Sequence, residues 1–349
     1  MKKLKVLSAL ALSAILAVGL FAGCAGEKNT GEKRKLNVYN WGDYIDEDLI
    51  KEFEQETGID VTYDTYDTNE TMYTKVKGGS SEYDIVVPSD YMIEKMIKEN
   101  LVEKIDFNNI PNYKYVGDQF KNLSYDPKDE YSVPYMWGTI GIVYNPEMVK
   151  KPVNSWNILW DKDYSGQIIM FDSVRDSMAI GLKKLGYSMN STNPKEIAAA
   201  GKALEAQKPL VQAYMVDEVK DAMIGGNAAL APVWSGDAQY IIKENPELKY
   251  VVPKEGTNKW FDGLCIPKGS KHKTEAEEFI NFLCKPENAL KNVEYIGYQT
   301  PITDAFNMLP DEVKAQYPTQ EELKKSVVFT DLNAETLKLY DQAWIKVRS

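Results

Sequence analysis

From residue 36 onward the sequence alternates between strand-like and helix-like segments, and this alternation restricts the fold more than any other feature. The first strand-like segments are residues 36–39, 59–66 and 83–89, and the helix-like segments that follow them are 46–58, 70–79 and 90–100. Such a βαβαβ order is typical of a mainly parallel sheet with helices on both faces. The pattern therefore predicts an α/β fold, in which ligands bind at the carboxyl ends of the strands.

The same alternation returns after residue 165 and ends in an amphipathic helix over residues 333–347. The roughly 315 residues that follow the N-terminal region exceed what one hydrophobic core usually holds. We therefore expect two α/β lobes, joined by short crossings because no long low-complexity linker follows residue 35.

Residues 1–23 have the pattern of a secretory signal peptide. Three lysines among the first five residues precede an apolar run over residues 6–21, and the sequence LFAGC follows, ending at Cys24. Small residues before a cysteine indicate a lipoprotein signal, although the same run could serve as a membrane anchor. We expect cleavage before Cys24, lipidation of Cys24 and attachment to the outer face of the membrane, with residues 24–35 as a flexible tether.

The net charge excludes some partners. The full chain carries −11, and loss of residues 1–23, which contain three lysines and no acids, leaves −14. This acidity argues against nucleic acid as a partner and favours cationic ligands.

The residue types also exclude several chemistries. His272 is the single histidine, so a histidine-based catalytic triad or multi-histidine metal site is not expected, and neither is a cofactor, since the chain lacks a phosphate loop. Cys265 and Cys284 are predicted to be buried free thiols, although an extracytoplasmic location would allow a bond between them.

Aromatic rings and acids recur together where strands are predicted to end. The candidate ligand-binding residues are Trp41, Asp43, Tyr44, Ser89, Tyr91, Asp172, Ser173, Asp176, Trp234, Trp260, Asp262 and Tyr298. Rings attract ammonium groups through their faces and pack against methylene chains, and carboxylates accept charge-assisted hydrogen bonds from ammonium groups. The set predicts a cleft for an amphipathic cation.

Other interpretations of these residues stay open at this stage. A single tryptophan is as often a core residue, and Ser89 or Asp90 could cap the helix that begins near Tyr91. Asp237 fits a first-turn helix acid and is left out of the set. A cleft with rings and acids would also suit a sugar or another small cation, and a carboxylate pair could belong to a glycoside hydrolase. A purely structural surface lipoprotein would bind no ligand.

The chain resembles the spermidine/putrescine-binding proteins of ABC transporters. Motifs that match in order include YNWGDYI, YDIVVPSDYMIEKM, YSVPYMWGTIGIVYN, SWNILWDKDYSGQIIM, WFDGLCIPKGS and EYIGYQTP, between residues 36 and 305. The resemblance implies a bilobal periplasmic-binding-protein-like fold of type II that closes around a polyamine and docks on a membrane permease. It implies lobe 1 from residues 36–138 and 262–306, and lobe 2 from residues 139–261 and 307–349. We expect a monomer that performs no chemistry on its ligand.

The resemblance also implies individual ligand contacts. Trp41, Asp43 and Tyr44 match a ring–acid–ring group of the family, Ser89 and Tyr91 match a serine and a tyrosine, and Trp234 and Trp260 match two ring platforms. Asp262 matches an acid that binds an amine, Tyr298 matches the tyrosine of the IGY turn, and Asp176 stands where the family has a glutamate.

Two positions depart from the family. Ser173, with Asp172 just before it, stands where relatives often carry an aspartate, and only Thr330 or Asp331 lies near a C-terminal glutamine contact. These departures leave the choice between putrescine, spermidine and a longer polyamine open.

Overall fold

A computed structural model describes residues 34–79 and 83–349. The predicted signal peptide, Cys24 and all but the last two residues of the predicted tether lie outside the described residues. Arg34–Ser349 form one compact unit. The first strand begins at Lys35, which was predicted to be the last residue of the tether.

The described residues contain nine strands and thirteen α-helices. The strands are β1 (Lys35–Trp41), β2 (Asp60–Tyr66), β3 (Ile85–Val86), β4 (Ser132–Tyr144), β5 (Ile168–Phe171), β6 (Val211–Met215), β7 (Leu230–Trp234), β8 (Lys249–Val251) and β9 (Lys259–Cys265). The helices are α1 (Glu47–Thr57), α2 (Asn69–Lys77), α3 (Asp90–Lys98), α4 (Val174–Lys184), α5 (Pro194–Gln207), α6 (Val219–Ile224), α7 (Ser235–Glu244), α8 (Lys273–Leu283), α9 (Pro286–Ile296), α10 (Thr303–Met308), α11 (Asp311–Lys314), α12 (Gln320–Leu323) and α13 (Ala334–Arg348).

The strands form one sheet in the order β2-β1-β3-β9-β4-β7-β5-β6, with β8 paired to β4. The sheet is mixed. Parallel pairing joins β1 to β2 and β3, and β5 to β6 and β7, as the βαβ pattern predicts. The pairs of β4 with β7, β8 and β9, and of β3 with β9, are antiparallel, so the prediction of a mainly parallel sheet is correct only for its two outer parts.

Strand β4 connects those two parts. Its residues 132–139 pair with β9, and its residues 140–144 pair with β7, while β8 pairs with 142–144. Nearly all of its side chains are buried, because both faces of the strand are covered. A strand that changes partners along its length can hold two parts of a sheet at a fixed separation.

Helix boundaries follow local chemistry. The Asp46 side chain accepts a hydrogen bond from the backbone N–H of Asp48 at the start of α1, and Gly58, with a φ of 69°, ends the helix in the left-handed region. Residues 275–298 have a helical pattern throughout but form two helices, because Pro286 cannot continue the first one.

Most of the buried apolar residues form one continuous core, which includes side chains from both parts of the sheet. Trp156 is fully buried there, and its Nε1 donates a hydrogen bond to the carbonyl oxygen of Gly256 at 3.0 Å. Cys265 and Cys284 are buried and free, which confirms the prediction for both. Within residues 34–79 and 83–349, no helix is long and apolar enough to cross a membrane.

Candidate ligand-binding site

A buried carboxylate with three rings around it forms the centre of the candidate site. The Tyr44 hydroxyl donates a hydrogen bond to Oδ2 of Asp262 at 2.7 Å, and both residues are buried. The Tyr298 ring lies 5.5 Å from the Tyr44 ring and 5.2 Å from the Trp260 ring, with edge-to-face geometry in both pairs. Residues that are more than 250 positions apart in sequence therefore meet here.

Local structure explains how Tyr44 reaches this position. Strand β1 ends at Trp41, and Asp43 then adopts a φ of 48°, a left-handed conformation that aspartate tolerates better than most residues. The turn brings the Tyr44 carbonyl oxygen to the Tyr135 hydroxyl, which donates a hydrogen bond to it at 2.6 Å. The carboxylate of Asp43 is itself exposed, so its visible contribution is to this turn.

Trp260 and Asp262 were predicted to follow the end of a strand, and this prediction is wrong. They lie inside β9, which pairs antiparallel with β4. Alternate residues of a strand point to the same face, so Trp260 and Asp262 are placed side by side on one face of β9.

Asp237 joins the same group, although the sequence analysis left it out. It lies in the first turn of α7, as predicted for a helix acid, but it is buried and accepts a hydrogen bond from the Tyr298 hydroxyl at 3.2 Å. Gly236 makes this approach possible, because a Cβ at that position would lie 2.3 Å from carbon atoms of the Tyr298 ring. The sequence signal for Asp237 is its position three residues after Trp234, at the end of β7.

Ser89 and Tyr91 form a second group with Asn69. The Asn69 Nδ2 donates hydrogen bonds to Ser89 Oγ at 3.1 Å and to the Tyr91 hydroxyl oxygen at 3.0 Å. The Tyr91 hydroxyl in turn donates to Glu70 Oε1 at 3.2 Å. Ser89 stands at the N-cap of α3 without a capping hydrogen bond from its side chain, so the capping interpretation does not account for the Ser89 hydroxyl.

Ser173 and Asp176 form a compact pair at the start of α4. The Ser173 hydroxyl donates to Asp176 Oδ2 at 2.6 Å, and Asp176 is buried. Between them in sequence, Arg175 holds its guanidinium carbon 5.2 Å from the centre of the Tyr91 ring. This cation–π contact places the start of α4 beside the group formed by Ser89 and Tyr91.

The two groups are connected through the backbone, because Ser89 forms an isolated antiparallel bridge with Asp262. Within the site, Oδ1 of Asp262 and Nε1 of Trp260 are buried and have no hydrogen-bond partner among the described residues. A buried polar atom without a partner is costly, so both atoms are positioned to bind a ligand or water.

The remaining candidates, Trp41, Trp234 and Asp172, make contacts outside the central group around Asp262. Trp41 donates from Nε1 to the Val87 carbonyl oxygen at 2.8 Å, and the half-buried Trp234 ring lies 4.8 Å from the Phe171 ring. Asp172 is exposed, and its Oδ1 lies 3.4 Å from Nη1 of Arg348 on α13. The structure thus does not bring Asp172 to the central group.

Comparison with known proteins identifies the family. Residues 48–320 match the family model described as bacterial extracellular solute-binding protein. The chain belongs to this family. It is 38% identical over 339 residues, 96% of both chains, to the spermidine/putrescine-binding periplasmic protein of Escherichia coli K12. It is 34% identical, over 96% of this chain and 97% of the relative, to the putrescine-binding periplasmic protein SpuD of Pseudomonas aeruginosa.

Solved structures give the same result for the fold of this solute-binding protein. The spermidine/putrescine ABC transporter substrate-binding protein PotD of Streptococcus pneumoniae is 43% identical, with a TM-score of 0.80 over 90% of this chain and 98% of that one. The TpPotD lipoprotein of Treponema pallidum is 30% identical, with a TM-score of 0.81 over 90% and 99%. The similarities confirm the predicted α/β periplasmic-binding-protein-like fold and the resemblance to spermidine/putrescine-binding proteins.

The relatives are named as binding proteins rather than enzymes, which confirms that this solute-binding protein is not an enzyme and leaves the glycoside hydrolase interpretation without support. The family is extracytoplasmic, as predicted. In the described part of the chain, no cluster of three or more His, Cys, Asp or Glu residues has the geometry to hold a metal ion.

Among the buried carboxyls of this solute-binding protein, three lie in the hydrogen-bonded groups described above. Burial raises the pKa of Asp176, Asp237 and Asp262 to about 6 in each case. Neighbouring groups oppose this effect without cancelling it. They are the Ser173 hydroxyl and the charge of Arg175 at Asp176, the charge of Lys220 and the Tyr298 hydroxyl at Asp237, and the Tyr44 and Ser89 hydroxyls at Asp262. The charged form of each carboxylate is therefore short of compensation, and a cation at the site would provide it.

Both candidates for the C-terminal contact interact with other residues, Asp331 through its side chain and Thr330 through its backbone. Asp331 lies 3.2 Å from Nζ of Lys98. The carbonyl oxygen of Thr330 accepts hydrogen bonds from Arg175 at 3.4 Å, and its N–H donates to Asn190 Oδ1 at 3.1 Å. The backbone of this segment thus helps to hold Arg175 in place.

Proposed function

We propose that this solute-binding protein captures a polyamine, spermidine or putrescine, at the site around Asp262 and delivers it to the permease of an ABC importer. The names of its relatives support the ligand class, and the buried carboxylate carries the argument from the structure. One carboxylate oxygen of Asp262 has no hydrogen-bond partner among the described residues. The rings of Tyr44, Tyr298 and Trp260 lie next to one another around this carboxylate. An ammonium group would satisfy the oxygen and the rings would pack against methylenes.

The separation of the acids suits a ligand with more than one positive end. Asp262 and Asp237 are linked through Tyr44, Tyr298 and the rings between them, whereas Asp176 lies at the start of α4 near Tyr91. A sugar would not compensate the charge of three buried carboxylates. A compound with a single cationic group would compensate only one of them, so we propose a di- or polyamine.

We also propose that residues 36–138 and 262–306 form one lobe and that residues 139–261 and 307–349 form the other. With this division, the hydrogen bond from Tyr298 to Asp237 and the contact of Arg175 with Tyr91 join the lobes. A ligand held between Asp262 in one lobe and Asp237 and Asp176 in the other would favour a closed arrangement, because only that arrangement contacts it from both sides.

The ligand class is tested by isothermal titration. Because Arg34–Ser349 form a compact unit, the chain from residue 25 contains the whole described fold. We expect one-to-one binding of putrescine, spermidine or spermine, and no heat with maltose or arginine as matched controls for a sugar and a cationic amino acid. Binding of maltose or arginine in place of every polyamine would refute the proposal.

The close packing of Tyr298 on Gly236 provides a second prediction. In Gly236→Ala the new Cβ would meet the Tyr298 ring, break its hydrogen bond to Asp237 and lower the polyamine affinity about tenfold. Alanine is the better helix former, so a loss of affinity would come from the displaced ring and not from the helix. Gly42→Ala is the control, because its Cβ would meet nothing within 4 Å. Equal affinities for the two variants would contradict the assigned role of Tyr298.

We further propose that Cys24 is lipidated and anchors the protein to the outer face of the membrane, where the monomer meets its permease. The sequence LFAGC and the designation of the Treponema pallidum relative as a lipoprotein support this. In Cys24→Ala, we expect the protein to move from the membrane fraction to the soluble extracytoplasmic fraction, because one or more acyl chains supply the membrane affinity. The ligand affinity should not change. Retention in the membrane fraction would argue for an uncleaved anchor instead.

A further inference from the structure

A cavity of about 370 Å³ lies away from the Asp262 site, against the other face of β9. Along this strand, Trp260 and Asp262 face the proposed polyamine site, whereas Lys259 and Phe261 point to the opposite face. Lys259 lines the cavity from β9 and Trp137 lines it from β4, and the rest of the wall comes from residues 119–120 and 300–324. The volume is within the range of pockets that hold small ligands.

Aromatic side chains form much of the wall. The Phe120 ring lies 5.5 Å from the Trp137 ring, at an angle of 44°. On a later part of the chain that also lines the cavity, the Phe306 ring of α10 lies 5.4 Å from the Tyr317 ring, at an angle of 32°. Flat rings on the walls favour a flat or apolar group as the occupant.

Two polar groups on the wall of this cavity have no hydrogen-bond or ion-pair partner among the described residues, although Nζ of Lys259 lies 5.2 Å from the centre of the Phe261 ring. Lys259 is half-buried and forms no ion pair with any described residue, and burial lowers its pKa. Tyr317 is only 8% exposed, and its hydroxyl is buried without a hydrogen-bond partner in the described part of the chain. By contrast Lys324, which also lines the cavity, is paired with Glu321. One cation and one hydroxyl donor therefore remain available for the same occupant.

We propose that this cavity is a second binding site, which takes a small organic anion with an aromatic ring. The carboxylate or similar group of the ligand would pair with Lys259 and accept a hydrogen bond from Tyr317, and its ring would pack between Trp137 and Phe306. This proposal does not depend on the polyamine proposal, because the cavity and the Asp262 site share no side chain.

The net charge of −11 does not prevent the binding of an anion here. At physiological ionic strength, charges more than about 8 Å apart are largely screened, so the contacts within the cavity decide the sign of its preference. Of the carboxylates next to the lining residues, Glu321 is paired with Lys324 and Asp118 with Lys121. Glu322 accepts hydrogen bonds from the backbone N–H and the hydroxyl of Thr319.

The test compares two probes of nearly the same shape and opposite charge, 3-phenylpropionate and 3-phenylpropylamine. Each is titrated into the ¹⁵N-labelled chain from residue 25 and followed by NMR, with and without Asp262→Asn. We expect the propionate to bind with a dissociation constant of about 1 mM and to shift signals of residues on the cavity wall. The amine should bind at least about tenfold more weakly there, because its ammonium group and Lys259 carry the same charge and repel each other.

Three variants assign the contact. Lys259→Met should lower the affinity for the propionate about tenfold, because it removes a charge-assisted hydrogen bond. Lys249→Met, the control, removes an exposed charge on β8 and should leave the affinity unchanged. Tyr317→Phe keeps the ring and should weaken binding about fivefold, which provides a second test should Lys259→Met fail to fold. No binding of the propionate at about 20 mM, or equal binding by wild type and both cavity variants, would refute the proposed site.

Discussion

The substitution Asp262→Asn is expected to lower the polyamine affinity by about a hundredfold or more. Asparagine keeps the shape of the side chain and can still accept the hydrogen bond from Tyr44, so the substitution removes the charge and little else. Loss of one partner from a buried, hydrogen-bonded charge pair usually costs about 2–5 kcal/mol of binding free energy. Titration of spermidine and putrescine into both proteins measures the difference.

The unliganded variant should be as stable as the wild type, or more so, near pH 7. Burial raises the pKa of Asp262 to about 6, which means that its charged form is disfavoured in the folded protein and that asparagine removes this penalty. Thermal unfolding without ligand therefore separates a loss of binding from a loss of folding. A variant that is both folded and fully able to bind would exclude Asp262 from the site.

Asp172→Asn is the matched control. It makes the same chemical change in a carboxylate that is exposed and lies against Arg348, away from the central group. Exposed ion pairs contribute little to stability, and we expect the polyamine affinity to change by less than about twofold. An equal loss of affinity in both variants would indicate a general effect of net charge rather than a contact with Asp262.

The sequence predicts those parts of the site that depend on strand ends. Tyr44 follows β1 and Ser89 precedes α3, and parallel strands bring their carboxyl ends to one edge of a sheet. This rule is sufficient to place both residues near each other without any knowledge of the structure. It does not apply to Trp260 and Asp262, which lie inside an antiparallel strand and reach the site because alternate side chains share a face.

Long-range contacts are the part that the sequence cannot supply. Asp237 satisfies every local criterion for a first-turn helix acid, and only the Tyr298 hydroxyl, 61 positions away, reveals that it faces the site. Strand β4 was not predicted because its 13 residues are buried almost throughout, so they show neither the alternation of a surface strand nor a turn in the middle. Its two sets of partners are set by tertiary packing.

Local helix geometry could have shown that Asp172 and Asp176 need not both face the site. Asp172 precedes the N-cap of α4 and Asp176 lies in its first turn, so nothing requires the two carboxylates to point in the same direction. In the structure Asp176 is buried against Ser173, whereas Asp172 turns toward α13. Two acids that are four residues apart on either side of a helix start should be treated as separate candidates.

Polyamine affinity should also fall steeply as the pH drops below about 6. The carboxyls of Asp176, Asp237 and Asp262 each have a pKa of about 6 in the ligand-free fold, and only their ionised forms can pair with ammonium groups. The amines of the ligand stay protonated in this range, so its charge does not change. Each carboxyl that has to lose a proton on binding should reduce the affinity about tenfold per pH unit below 6.

The stability of the ligand-free protein should change with pH in the opposite direction. Because the three pKa values are higher in the folded protein than the value of 3.8 for an ordinary aspartate, the folded state binds more protons than the unfolded state between about pH 4 and 6. Their contribution to stability is complete below pH 4 and is lost as the pH rises through 6. Binding of a polyamine restores it, so the ligand should stabilise the protein most at neutral pH.

Titration calorimetry and thermal unfolding between pH 5 and 8 measure both effects, with the variant Asp176→Asn/Asp237→Asn/Asp262→Asn as the reference. Subtracting the unfolding curve of the variant removes the contribution of surface carboxylates such as Glu103 and Asp161, whose pKa values are lowered by their hydrogen bonds and which act with the opposite sign. Wild-type affinities that stay equal from pH 5 to pH 8 would mean that no buried carboxylate changes its protonation on binding, and the ammonium groups would then have to bind elsewhere. A fall in affinity together with proton release at pH 5 would identify the three acids as the groups that hold the ligand.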